Sequence, residues 1–254
     1  IPIVPRTKEN YTEARQATSK NSFLLNWAKE VRKENYVSPT VAEEFANEPV
    51  QPLPTLIPTD PEKVALGFDL YHDTRLSHDN TIACATCHGL ETAGVDRKQF
   101  SEGIGGQFGG VNAPTVYDSA LNILQFWDGR AATLADQAAG PPLNPIEMAS
   151  TSFDEIIAKL AADEAYVSQF AKLYPEGITE ATITNAIEEF ERTLTTPNSR
   201  FDKWLLGDDS ALNEEELKGY ELFKEYNCAT CHVGPNLGGQ SYELMGLRRH
   251  YFEA

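Results

Sequence analysis

The pentapeptide Cys84-Ala85-Thr86-Cys87-His88 occurs again, letter for letter, at Cys228-Ala229-Thr230-Cys231-His232. The chain of 254 residues has four cysteines and five histidines, so the two copies use every cysteine and two of the histidines. Four chemistries compete for such a pattern. A Cys-x-x-Cys redox pair needs no following histidine, and needs none twice. Paired disulfides give no reason for these positions. A zinc site could take Cys2His from one copy, but His88 and His232 lie more than half the chain apart, too far for a compact finger. Cys-x-x-Cys-His is also the attachment motif of a c-type haem. Two thiols at that spacing each form a thioether to one porphyrin vinyl group, and the adjoining imidazole ligates the iron from below. The reading is two haems c, one on Cys84, Cys87 and His88, the other on Cys228, Cys231 and His232. The porphyrin and the histidine leave one iron position over. A methionine or histidine there gives an electron carrier, and an open position admits oxygen species.

Such a chain is long enough for one large domain or two smaller ones with real cores. Its hydrophobic content of 41% and charged content of 23% are ordinary for a soluble protein. No run approaches the roughly 18 apolar residues that a membrane span needs. The net charge of −17 disfavours nucleic acid and anionic lipid and favours basic partners. Glu214-Glu215-Glu216 and Asp208-Asp209 are candidate docking charges, although the three glutamates equally suit the positive end of a helix.

Residues 1 to about 48 are polar, with Phe23, Leu24, Trp27 and Val31 at helical spacing. Pro49, Pro52, Pro54, Pro58 and Pro61 then suggest a stiff connector. Asp60 before Pro61 predicts a helix start, carrying Val64, Phe68 and Tyr71. Between Ser77 and Pro114 little regular structure is expected, and glycines crowd at 103, 105, 106, 109 and 110; so long a loop is usually functional. Ser152 with Glu155 predicts a capping box ahead of Ile156, Leu160, Tyr166 and Phe170. Thr179 caps a helix with Ile183, Ile187, Phe190 and Leu194, and Asn213 with Glu216 starts another with Leu217, Tyr220 and Phe223. No alternating strand series is visible, so the expected class is mostly α with long loops.

Further blocks accompany the pentapeptides: Leu70-Tyr71-His72-Asp73-Thr74-Arg75-Leu76-Ser77, Asn112-Ala113-Pro114-Thr115-Val116, Gln125-Phe126-Trp127-Asp128-Gly129-Arg130, then Gln137, Gly140-Pro141 and Asn144-Pro145-Ile146-Glu147-Met148. Thr196-Pro197, Phe201-Asp202-Lys203 and Asn236-Leu237-Gly238-Gly239 follow. In this order they resemble the bacterial dihaem cytochrome c peroxidase family, which includes the MauG-like dihaem oxidases, over roughly residues 61 to 245.

The resemblance implies two cytochrome c-like haem domains, the second incomplete within this chain. The expected division is an N-terminal extension and Pro-rich linker over 1–60, a first, peroxidatic domain over 61–200, and the start of a second, electron-transfer domain over 201–254. It implies that Trp127 lies between the haems, that Asn112 ligates a calcium ion, and that Glu147 is the acid–base carboxylate with Gln137 and Pro141 in the same pocket. From the residues alone, Trp127 reads as core packing, Asn112 as a turn residue before Pro114, and Glu147 as a solvated cap. A carboxylate in a fairly dry pocket suits the proton movement that peroxide cleavage requires.

The implied function is reduction of hydrogen peroxide with electrons from a small cytochrome c or blue-copper donor, in the periplasm, in a protein that commonly forms homodimers. A MauG-like oxidase acting on a partner protein and a pure electron carrier are the alternatives. The chain departs from the family pattern twice. The loop histidine that blocks the peroxidatic iron in classical members aligns with Ile104, with His72 and His78 as weak substitutes. The methionine expected on the second iron is also not evident, since the methionines are Met148, inside the first domain's motif, and Met245.

Overall fold

The computed structural model describes residues 39–54 and 60–242. The helix expected around Trp27, the proline at position 58 and Met245 lie outside them. The described residues are mostly helical, without a sheet, and fall into two compact units. The first comprises residues 60–120 and 124–196, the second 39–54, 121–123 and 197–242.

The first unit opens with α1 (Pro61–His72), where the Asp60 carboxylate accepts from the Glu62 and Lys63 amides and Pro61 sets the first turn. A 3-10 turn (Thr74–Leu76) and one short helical turn, α2 (Cys84–Cys87), follow, and then a long stretch of three-residue 3-10 turns with two isolated bridges, Glu102 to Phe108 and Gln125 to Ala131. Two further short helices, α3 (Leu134–Ala138) and α4 (Gly140–Leu143), precede α5 (Phe153–Ala161), α6 (Glu164–Leu173) and α7 (Glu180–Glu191).

α1 packs across α7. Gly67 sits at the crossing, where a Cβ would overlap the Ala186 carbonyl oxygen, so the absent side chain sets how closely the helices approach. Leu66, Leu70, Ile156, Leu160, Phe170, Ile183 and Ile187 form the core around this crossing.

The apolar series from Ile156 to Phe170 is two helices rather than one, because Asp163 adopts an extended conformation and caps α6 through the Ala165 amide. The box expected at Ser152 is half formed. Ser152 accepts from the Glu155 amide, but the Glu155 carboxylate turns instead to the Thr151 amide and hydroxyl, at 2.9 and 2.8 Å.

In the second unit, α8 (Arg200–Leu205) and α9 (Glu214–Glu225) surround Val50, Trp204, Leu205 and Tyr220. Residues 39–54 pack into this unit. The Leu53 amide donates to the Asp202 carboxylate at 3.0 Å, and Glu48 accepts from the Tyr220 hydroxyl at 2.7 Å and from Lys224. Asn213 and Glu216 cap α9 reciprocally, as the sequence predicts. Among the described residues no helix is long and apolar enough to cross a membrane.

Candidate functional site

In the first unit, Cys84-Ala85-Thr86-Cys87 closes into one helical turn, started where Thr86 Oγ1 accepts from the Ala83 amide at 3.0 Å. The His88 amide donates to the Cys84 carbonyl at 3.0 Å, holding the histidine against the turn. Its ring Nδ1 lies 3.2 Å from the Gly94 carbonyl, and the Pro114 carbonyl also acts on the ring, so a proton on Nδ1 makes Nε2 the nitrogen that can ligate a metal. Burial lowers the imidazole pKa and so favours the neutral, ligating form. The Tyr71 hydroxyl donates to the His88 carbonyl at 2.6 Å.

The second unit repeats the device on a more exposed surface. Asn227, at φ +60°, turns the chain out of α9 into a 3-10 turn over Cys228–Thr230. The His232 amide reaches the Cys228 carbonyl at 3.0 Å, and Nδ1 lies 2.8 Å from the Leu237 carbonyl, so a proton there again makes Nε2 the nitrogen that can ligate a metal.

All four cysteines are free thiols. Burial first, with the Glu191 charge second, pushes the Cys84 thiol up to about 12, and burial also raises Cys87. Thiols held so firmly in the protonated form make a poor redox pair. The donor set fits haem c: two unpaired thiols on one turn, followed by an imidazole that can present Nε2 as a ligand.

Glu147 follows α4 in the segment 144–148. It is half-buried, and Asn144 Nδ2 donates to its Oε1 at 2.7 Å. Burial raises its pKa; the Arg130 charge and the Asn144 hydrogen bond pull the other way without cancelling it. Its charge is felt at Cys87, so the carboxyl and the first motif share one neighbourhood.

The glycine-rich loop is fastened to this segment. The Ile104 amide donates to the Glu147 carbonyl at 2.9 Å, and Gln107 Nε2 donates to the Pro145 carbonyl at 3.1 Å. Gly103 lies so close that a Cβ would overlap the Ile146 carbonyl oxygen. Ile104 itself is buried.

Gln137 is half-buried on α3. Trp127 is exposed, contrary to a pure core reading, and its indole N–H donates to the Asn112 carbonyl at 3.0 Å, bringing those two candidates together. Arg130 stacks over the Phe126 ring, 3.4 Å from its centroid. His72 and His78 are exposed, with Nδ1 against the Phe68 carbonyl at 2.9 Å and the Glu155 carboxylate at 3.0 Å respectively. Sequence reasoning missed three supporting groups: Asn144, Tyr71 and the Gly94 carbonyl. Only Asn144 left a signal, three positions before a carboxylate.

Two Cys-x-x-Cys-His turns, each with the histidine Nδ1 set against a backbone carbonyl, define a c-type haem protein. A model described as di-haem cytochrome c peroxidase matches residues 61–210. The chain belongs to that family. It is 58% identical over 228 residues to the cytochrome c peroxidase Ccp of Escherichia coli, covering 90% of this chain and 49% of that one. It is 48% identical over 208 residues to the cytochrome c551 peroxidase of Nitrosomonas europaea, covering 81% and 62% respectively. A solved structure of a MauG-like protein associated with microbial copper homeostasis superposes with TM-score 0.66 at 32% identity, covering 76% of this chain and 58% of that one. The chain thus spans about half to three-fifths of the length of these relatives.

Proposed function

We propose that this protein reduces hydrogen peroxide to water at the first haem, held by Cys84, Cys87 and His88, with electrons entering through a second haem held by Cys228, Cys231 and His232. The reaction consumes one peroxide, two electrons and two protons and yields two waters. The haem supplies the electron chemistry, and the chain supplies the proton chemistry. The observation that carries this reading is the half-buried Glu147 carboxyl, held by Asn144 beside the first motif. A carboxyl whose pKa burial has raised can take a proton from one peroxide oxygen and return it to the other. Asn144 holds Oε1 in place during that transfer, while Gln137 and Pro141 line the same pocket.

Trp127 is assigned to electron relay and Asn112 to a calcium ion, which metal analysis before and after chelation would check. The electron donor is a small cytochrome c or blue-copper protein. One with a basic face would suit the net charge of −17. The reaction would take place in the periplasm, where haem is joined to such motifs, in a protein that forms a homodimer. In this reading residues 61–200 are the peroxidatic domain and 201–254 the start of the electron-transfer domain.

Stopped-flow mixing with peroxide, with and without prior one-electron reduction, tests the proposal. A rapid spectral change in at least one state supports it, and none in either leaves an electron carrier. A MauG-like oxidase is the second reading. Ile104, an aliphatic side chain where a blocking histidine is expected, favours it, and rapid reaction of the fully oxidised protein followed by oxidation of an added protein would select it.

A further inference from the structure

Glu191, the last residue of α7, is 5% exposed, and among the described residues its Oε2 has no hydrogen-bond partner. A buried carboxyl left this way is costly when ionised, and the reaction as proposed gives it no task. Its place is specific. Phe190 and Leu194, on either side of it in sequence, pack into one cluster with Tyr71 of α1 and with Cys84 and Ala85 of α2. Both Tyr71 and Cys84 feel its charge, so the carboxyl lies close behind the first thioether position.

Among the described residues no cation offsets it. Tyr71 faces it from α1, but the hydroxyl is committed to the His88 carbonyl. Tyr117 and Glu91 act on Tyr71 and not on Glu191. Cys84 faces it from α2 and loses its titratable proton once bonded to a haem vinyl group. On α7 itself Glu188 adds a second negative charge, and Arg192 acts on Glu188 rather than on Glu191.

Glu188 also gives a route outward. It stands one helical turn before Glu191, on the same face of α7. It is half-buried, and it feels Asp136 of α3, which is exposed. Three carboxyls thus run from solvent through a half-buried position to a fully buried one beside the first motif.

We propose that Glu191 is the proton-binding site coupled to reduction of the first haem, loaded from solvent by way of Asp136 and Glu188. Were the bound haem to take one electron from a one-electron reductant, Glu191 Oε2 would gain one proton from solvent, and the buried region's net charge would stay constant. Burial first, with the Glu188 charge second, pushes the Glu191 carboxyl up to about 8. The positive charge of an oxidised haem beside it would lower that value and reduction would restore it, so the uptake falls in the pH range below about 8.

The inference rests on the reading that Cys84, Cys87 and His88 hold a haem. The absorption spectrum checks that attachment separately, and the test uses no peroxide, so loss of peroxidase activity and failure of this proposal are distinguishable. The haem-loaded protein is titrated electrochemically at a series of pH values, with infrared difference spectra of reduced minus oxidised protein.

Within a band of pH around neutrality, each unit of acidification should raise the reduced-to-oxidised ratio of the first haem about tenfold at fixed potential. A protonated carboxyl stretch should appear on reduction. In Glu191→Gln both should vanish while the His88-ligated spectrum is kept. In Glu188→Gln the pH slope should remain, with slower proton uptake. A potential independent of pH in the unaltered protein, no carboxyl band on its reduction, or slope and band surviving in Glu191→Gln would each overturn the proposal. The first two readings need no variant at all.

Discussion

Asn144 donates its side-chain amide to Glu147 Oε1 over 2.7 Å, the only side-chain hydrogen bond to that carboxyl among the described residues. The bond favours the ionised form, against the burial that opposes it. Replacing Asn144 by Ala should therefore raise the Glu147 pKa further, and the limb of the peroxide reaction that requires the carboxylate should move to higher pH. Glu147→Gln should remove the proton acceptor and slow the reaction by roughly 10²–10⁴-fold, the usual worth of a positioned acid–base group. Haem content should stay unchanged in both. Rapid mixing across a pH series reads both effects, and an unaltered profile in Asn144→Ala would remove Asn144 from the mechanism.

Gly103 tests the loop that backs this carboxyl. An added methyl collides with the Ile146 carbonyl, so the backbone must part and the Ile104 amide must leave the Glu147 carbonyl. Gly103→Ala should cost about 1–3 kcal/mol, the usual cost of overpacking, and should slow the peroxide reaction as Glu147 loses its anchor. Denaturant unfolding measures the first effect. Gly105→Ala is the control, because open space surrounds its Cβ direction, although its φ of +64° carries a backbone cost of its own.

Tyr71 should prove structural. Its hydroxyl is buried, and removing it in Tyr71→Phe leaves the His88 carbonyl without that donor. About 1–3 kcal/mol of stability should be lost, the range for an orphaned buried polar group. Haem attachment should persist, since neither thiol nor the imidazole nitrogen is touched. A thermal melt together with a haem stain separates the two outcomes.

The fold was legible where local chemistry decides it. Asp60, Thr179 and Asn213 each cap the helix expected of them, because a short oxygen-bearing side chain before an apolar series satisfies the free amides whatever lies elsewhere. Helical periodicity could not show that Asp163 splits the run between Ile156 and Phe170, since an aspartate in mid-pattern reads as a solvated position. The capping box at Ser152 formed only by half because the Glu155 carboxylate found Thr151 instead, a choice between equivalent local donors. The haem residues were legible because covalent chemistry fixes their spacing. Glu191 was not, because a lone glutamate ending a helix looks like any exposed one until α1 and α2 cover it.

Asp73 gives a pH dependence of opposite kind to Glu191. Burial works to raise its pKa, but hydrogen bonds from the Arg75 guanidinium and amide and from the Tyr166 hydroxyl outweigh it and hold the carboxyl below the usual range. A depressed carboxylate stabilises the fold fully above its unfolded pKa of about 4, and that stabilisation is lost as pH falls through the lower folded value. Arg75→Ala removes the largest of these supports, so the variant should unfold in acid at a higher pH than the unaltered protein. The two should differ less at pH 2 than at pH 6. Acid titration followed by circular dichroism checks both points.

Ile104 stands where the family resemblance expects the histidine that blocks the first iron, so it bears on whether that iron would need reduction before it could react. An aliphatic side chain has no lone pair to give a metal, and this one is buried in a loop pinned to Glu147. If nothing else ligates the sixth position, the fully oxidised protein should show a high-spin component in its resting spectrum and should react with peroxide without prior reduction. His72 and His78 are poor substitutes, since the first sits exposed against Phe68 and the second pairs with Glu155. Ile104→His supplies the missing donor in the place where the family resemblance expects one. It should turn the resting spectrum low-spin and suppress reaction of the oxidised protein, with reaction returning after one-electron reduction. The Ile104 amide bond to Glu147 is a backbone bond that the substitution does not remove, so the loop keeps its anchor. A resting spectrum already purely low-spin in the unaltered protein would mean that another residue closes the site, and the open-iron reading would fall.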